Sequence, residues 1–137
     1  MLYKHPPYLA NEEDFGKFRE AGISISTQEI SETLDFVDLP PRSGNEDETH
    51  RALKKLSGKL LKTLGAFDVE FEHYSIDVSS KSLKISIECG DTSIYKVWSM
   101  LFIDFYCDWF KEVWCIYINE NKKIEAVKFI KTQFHYK

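Results

Sequence analysis

The chain has 137 residues, of which 43% are hydrophobic, 15% aromatic and 29% charged. That length fits a single domain with its own core over residues 1–137, and the composition excludes wholesale disorder, collagen-like repeats and a disulfide scaffold. Lys plus Arg number 18 and Asp plus Glu 22, a net charge of −4, so nucleic acid, which asks for a basic face, is not the expected partner.

The charge is unevenly spread. The first 48 residues hold 11 acids against 4 bases, and the remainder carries a net +3. The three cysteines, Cys89, Cys107 and Cys115, match no zinc or redox spacing and sit in apolar runs, so they read as small buried hydrophobes. The opening residues lack the apolar core of a leader and turn acidic at once, so no leader is expected. The longest apolar stretch, around residues 97–110, is interrupted by Asp104 and Asp108 and falls short of the ~20 residues a membrane span needs. A cytoplasmic protein without membrane contact is expected.

Residues 1–10 read as an extended arm, since Pro6 and Pro7 hold polyproline geometry. "NEEDFGKFREAG" predicts a short helix with Asn11 as N-cap, acids in its first turn and Gly22 at its exit. Ser26 followed by Glu29 makes a capping-box pattern, and Ile30, Leu34 and Val37 recur at helical spacing, predicting a second helix that Pro40 and Pro41 end. Residues 40–48 form a polar loop. From Glu48 to Gly65, Leu53, Leu56, Leu60, Leu61 and Leu64 mark one side of a third helix, with Arg51, Lys55, Lys59 and Lys62 on the other.

A hairpin is predicted next. Phe67, Val69 and Phe71 alternate with acids, and the phase flips at His73–Tyr74, which suggests a bulge or bend. "SSKS" makes the turn, and Leu83, Ile85, Ile87 and Cys89 continue the alternation. A helix from about Ser93 to Lys111 follows, apolar nearly all round, as in a helix buried on several sides. "VWCIYI" predicts a central strand, "NENKK" a turn and "IEAVKFIKTQF" a lysine-bearing edge strand. The expected fold is α+β: N-terminal helices followed by ββαββ, with an antiparallel sheet of about four strands packed by helices.

No phosphate loop, dinucleotide fingerprint, zinc-protease helix or nucleophile elbow is present. The histidines, His5, His50, His73 and His135, have no histidine or cysteine at helical spacing, so no metal site and no cofactor are expected. Two acidic rows stand out. Asp68, Glu70 and Glu72 line one face of a strand. Asp104, Asp108 and Glu112, spaced four apart, form a helical ridge flanked by Tyr106 and Trp109. Each row has an ordinary reading as a wet sheet face or solvated helix edge. Each also suits a basic protein partner, with Tyr106 and Trp109 as anchors. The basic side of the third helix lacks the interleaved aromatics that base stacking uses.

In size, acidity, aromatic content and lack of catalytic motifs the whole chain is similar to small bacterial immunity proteins, which neutralise a cognate toxin, often a basic nuclease. The resemblance implies a non-enzymatic inhibitor and carries no residue roles. The expectation is therefore a protein-binding module that meets a basic partner through Asp68, Glu70, Glu72, Asp104, Asp108, Glu112, Tyr106 and Trp109. Two rivals stand beside it. One is a self-associating subunit, a homodimer included, motivated by the apolar helix. The other is a small hydrolase with dispersed residues such as His73, Glu88 and Asp104, which would need a deep pocket joining at least two of them.

Overall fold

A computed structural model describes residues 11–42, 44–103 and 109–132. Among the described residues nine elements follow one another: α1 (Glu12–Glu20), β1 (Ile23–Ile30), α2 (Glu48–Thr63), β2 (Val69–His73), β3 (Ile76–Ser80), β4 (Ile85–Cys89), α3 (Ile94–Phe102), β5 (Glu112–Ile118) and β6 (Ile124–Lys131). The strands form one sheet of six in the order β1-β6-β5-β4-β3-β2. Every neighbouring pair is antiparallel except β4 and β5, which α3 joins as a parallel crossover. The fold is α+β as expected, but the sheet has six strands and is mixed.

The helices cover both faces of the sheet. Phe18 of α1 and Val97, Met100 and Leu101 of α3 pack with Val113, Cys115, Val127 and Phe129 on one face. Leu53, Leu56 and Leu61 of α2 pack with Val78, Ile85, Ile87, Trp114 and Ile116 on the other. Alternate residues of β5 thus enter opposite cores, which is why its sequence is an unbroken apolar run. Gly58 lets α2 approach the sheet, because a Cβ there would sit 2.8 Å from the Phe71 ring. Among the described residues no helix is long and apolar enough to cross a membrane.

Local signals explain the elements that match expectation. In α1 the Asn11 side chain accepts from the Asp14 amide at 2.9 Å and Asp14 answers the Asn11 amide at 3.2 Å, a reciprocal capping box. Gly22 follows at positive φ. In α2 Asp47 caps the His50 amide at 2.8 Å, and Gly65 leaves the helix at positive φ.

Four expectations are corrected. The segment predicted as a second helix contains β1, because residues 23–30 pair along their whole length with β6. That ladder outweighs the local Ser26–Glu29 pattern. As a consequence β6 is interior and β1 holds the edge. The phase flip at His73–Tyr74 is not a bulge within one strand. It is a two-residue hairpin loop, Tyr74–Ser75, with positive φ at both positions, as mirror-image turns require. Finally, α3 ends at Phe102, and Ile103 is extended. Residues 1–10, the expected arm, lie outside the described residues.

The β1 assignment has a direct check. Ser26 and Lys128 stand opposite one another, so Ser26→Cys with Lys128→Cys should oxidise to a disulfide. Glu29→Cys with Lys128→Cys, out of register, should not. The reverse result, read by non-reducing mass spectrometry, would restore the helix.

Candidate functional site

The sheet carries three carboxylates abreast. The register brings Glu72 of β2 opposite Asp77 of β3, and Asp77 opposite Glu88 of β4. Neither pair joins the backbone ladder. Like charges side by side on one face repel, and the chain separates them by local distortion. Glu72 adopts positive φ. Ile76 packs into the α3-side core while Val78, two residues on, packs into the α2-side core, so the strand changes phase at Asp77. Side chains replace the missing ladder bonds: the Asp77 amide donates to Glu88 Oε2 at 2.8 Å, and the Cys89 amide donates to Asp77 Oδ2 at 2.8 Å.

Glu72 and Asp77 meet α2, and Glu88 meets α3. Lys54, whose side chain has no exposed surface, places Nζ 2.6 Å from Glu46 Oε1, 2.8 Å from Glu72 Oε1 and 3.0 Å from the Pro41 carbonyl. His50, one turn earlier on α2, places Nε2 3.2 Å from Glu46 Oε2 and 3.4 Å from Asp77 Oδ2. Its ring lies against Gly90, whose Cβ, if present, would stand 3.4 Å from Nδ1. On the other face Lys96 pairs with Glu88 and donates to the Ser75 carbonyl at 2.6 Å.

The electrostatics follow from this placement. Burial works against the Lys54 ammonium, but Glu46 and Glu72 outweigh it and raise its pKa. Burial likewise pushes Asp77 upward, but His50 and the Cys89 amide hold its carboxyl below the usual range. Asp77 is the main influence raising His50. Glu88 has one lysine against both burial and the Asp77 charge, and is pushed up to about 7. Burial raises both the Cys89 and Cys115 thiols. They are the buried hydrophobes the sequence suggested, while Cys107 lies outside the described residues.

The residues singled out from sequence go to different places. Asp68 closes the β3–β4 turn, accepting from the Ser82 amide at 2.9 Å and from the Ser80 and Ser82 hydroxyls at 2.6 Å each. Glu70 pairs with His73 Nδ1 at 3.0 Å, and Glu72 is taken up by Lys54. The three therefore do not form one solvated row. Asp104, Tyr106 and Asp108 lie outside the described residues. Glu112 is not on a helix: it opens β5 and accepts from Trp114 Nε1 at 3.1 Å, so the proposed helical ridge does not extend to it. Trp109 stacks edge-on against Tyr74 at 5.1 Å, and Tyr74 against His73 at 4.3 Å. The basic side of α2 is not bare either. Lys55 pairs with Asp35 at 2.8 Å, Lys59 with Glu32 at 3.7 Å, and Arg51 donates to the Pro40 carbonyl at 2.9 Å, which straps residues 32–40 along the helix.

Sequence reasoning missed Glu46, His50, Lys54 and Asp77. Glu46 and His50 are four apart, a readable signal, but the helix starts between them and Asp77 arrives from a distant strand. The cleft of about 460 Å³ between residues 33–41 and α2 is lined by Asp35, Lys55, Lys59 and Phe71, and neither His73 nor Glu88 reaches it.

Comparison with known protein families, with curated proteins and with solved structures finds no match.

Glu88 gives the site a pH signature. It holds its proton more tightly when folded, with a pKa of about 7 against an ordinary 4.5. Its stabilising contribution is therefore complete below pH 4.5 and is lost as the pH rises to about 7. Glu88→Gln should gain stability relative to wild type across that window, measured by urea unfolding at each pH. A difference that stays flat would mean Glu88 ionises as it does in the unfolded chain.

Proposed function

We propose that the chain is a non-enzymatic protein-binding module that docks a basic partner, most concretely an inhibitor of the immunity type. The observation that supports this reading is the concentration of acid at one end of the sheet. Glu46, Glu72, Asp77 and Glu88 lie there, and Lys54 and Lys96 answer them. Asp47 and Glu48 at the start of α2, and Asp91 beside Gly90, add exposed acids at the same end. A concentrated negative field of this kind speeds encounter with a positive partner.

The same end carries an aromatic edge. The Tyr74 side chain is half exposed beside His73 and Trp109. Tyrosine and tryptophan at the margin of a charged patch are the residue types that anchor interfaces, since they bury large area at little entropic cost. Trp109 and Glu70 of the sequence-based set lie at this edge, whereas Asp68 and Glu112 are engaged elsewhere in the fold.

The test is affinity capture from the native host with wild type and with a Glu48→Lys, Glu70→Lys, Asp91→Lys variant. The expected outcome is one basic protein, retained at low salt and released as salt rises. Its association with the variant should be slower by tenfold or more, with a weaker salt dependence. Equal capture by both proteins, or no basic protein with either, would overturn the reading.

A further inference from the structure

The His50 ring presents an unsolved contact. Its Nε2 atom is buried and has no hydrogen-bond partner. Yet it stands 3.2 Å from Glu46 Oε2 and 3.4 Å from Asp77 Oδ2. The nitrogen thus lies close to one oxygen of each of two carboxylates.

We propose that Glu46, His50 and Asp77 bind one first-row divalent transition-metal ion, with Zn²⁺ the best fit. Spacing is the first argument. A tetrahedral Zn²⁺ with ligands at about 2.0–2.1 Å has ligand–ligand edges of about 3.3–3.4 Å. The two separations from His50 Nε2, 3.2 and 3.4 Å, match such edges. A ligand atom from each of the three residues falls within 4.8 Å of the other two. The donors come from the loop before α2, from α2 and from β3, so the fold itself assembles them.

Charge is the second argument. On the α2 side, among the described residues, Glu46 and Glu72 pair with Lys54, and Glu46 and Asp77 face His50. A divalent ion balances the remaining two negative charges. Lys54 does not block it, because its ammonium holds Glu46 Oε1 while Oε2 turns to His50. The Cys89 amide fixes Asp77 through Oδ2, the same oxygen that faces His50, and an anionic carboxylate oxygen can accept that bond and ligate as well. Such outer contacts orient ligands in metal centres generally.

Donor chemistry selects the metal. An imidazole with two carboxylates suits Zn²⁺ and its neighbours, whereas Mg²⁺ and Ca²⁺ prefer more oxygens. The His50 and Asp77 side chains retain 27% and 16% exposure, so water can reach a fourth position. This inference shares Glu46 and Asp77 with the acidic end described above but needs no protein partner, and its probe is the metal alone.

The test is titration of the chelator-treated full chain with Zn²⁺ by calorimetry, repeated with Mg²⁺. Co²⁺ absorption supplies the coordination geometry. Wild type should bind one equivalent of Zn²⁺ saturably, with Mg²⁺ silent and Co²⁺ giving visible bands of a low-coordinate site. His50→Ala and Glu46→Gln should each weaken Zn²⁺ at least tenfold, while His73→Ala should bind as wild type. Circular dichroism checks that each variant folds, and Glu46→Gln carries the test if His50→Ala does not. No saturable Zn²⁺ binding, or binding that survives loss of Glu46 and His50, overturns the proposal.

Discussion

Three acids abreast across neighbouring strands set the problem that this structure solves. Glu72, Asp77 and Glu88 occupy one row of the sheet, where an undistorted pleat would crowd them onto one face. The chain breaks the ladder at that row and sends Glu72 and Asp77 to α2 and Glu88 to α3. Both helices are tied to the row by cations. Lys54, fully buried, links α2 to β2 and to the loop through Glu46 and Pro41, and Lys96 links α3 to β4 and to the β2–β3 loop. A buried ammonium is tolerable only with such partners, because desolvation costs several kcal/mol, on the order of 3–5 when a partner is lost.

The same row explains why the acid gathers at one end. The distortion stands where β2 and β3 turn into each other and where β4 ends, so the carboxylates meet the start of α2 rather than the sheet interior. Exposed acids in the first turn of α2 are favoured there by its dipole. At the sheet's β1 edge, by contrast, β1 pairs with β6 along its whole length, and Lys128 lies over the Trp114 ring at 4.1 Å.

Much of the fold was legible where the signal was local. The leucine spacing of α2, the Asn11 cap of α1 and the apolar run of β5 all depend on neighbours within a few residues. Legibility failed where a distant partner decided. Residues 23–30 carry alternating isoleucines as well as a helix-start pattern, and only β6, a hundred residues on, chooses between them. The Tyr74–Ser75 turn was hidden because neither residue is a glycine or asparagine, the usual occupants of positive φ. The acidic rows were visible as residues but not as a site. Asp68 and Glu72 share a strand pattern, yet one closes a turn and the other turns inward to Lys54. The polar cluster needed Asp77, whose position in sequence says nothing of His50.

The central claim is that the divided row is held by the buried cation, and a double-mutant cycle on Lys54→Met and Glu72→Gln tests it most directly. Lys54→Met alone should cost about 3–5 kcal/mol in urea unfolding, since it strands the carboxylates of Glu46 and Glu72 beside a buried site. The double variant should cost less than the sum of the single changes, with a coupling of about 1–3 kcal/mol. Costs that add to within about 0.5 kcal/mol would mean that Lys54 and Glu72 do not depend on each other, and would contradict the account.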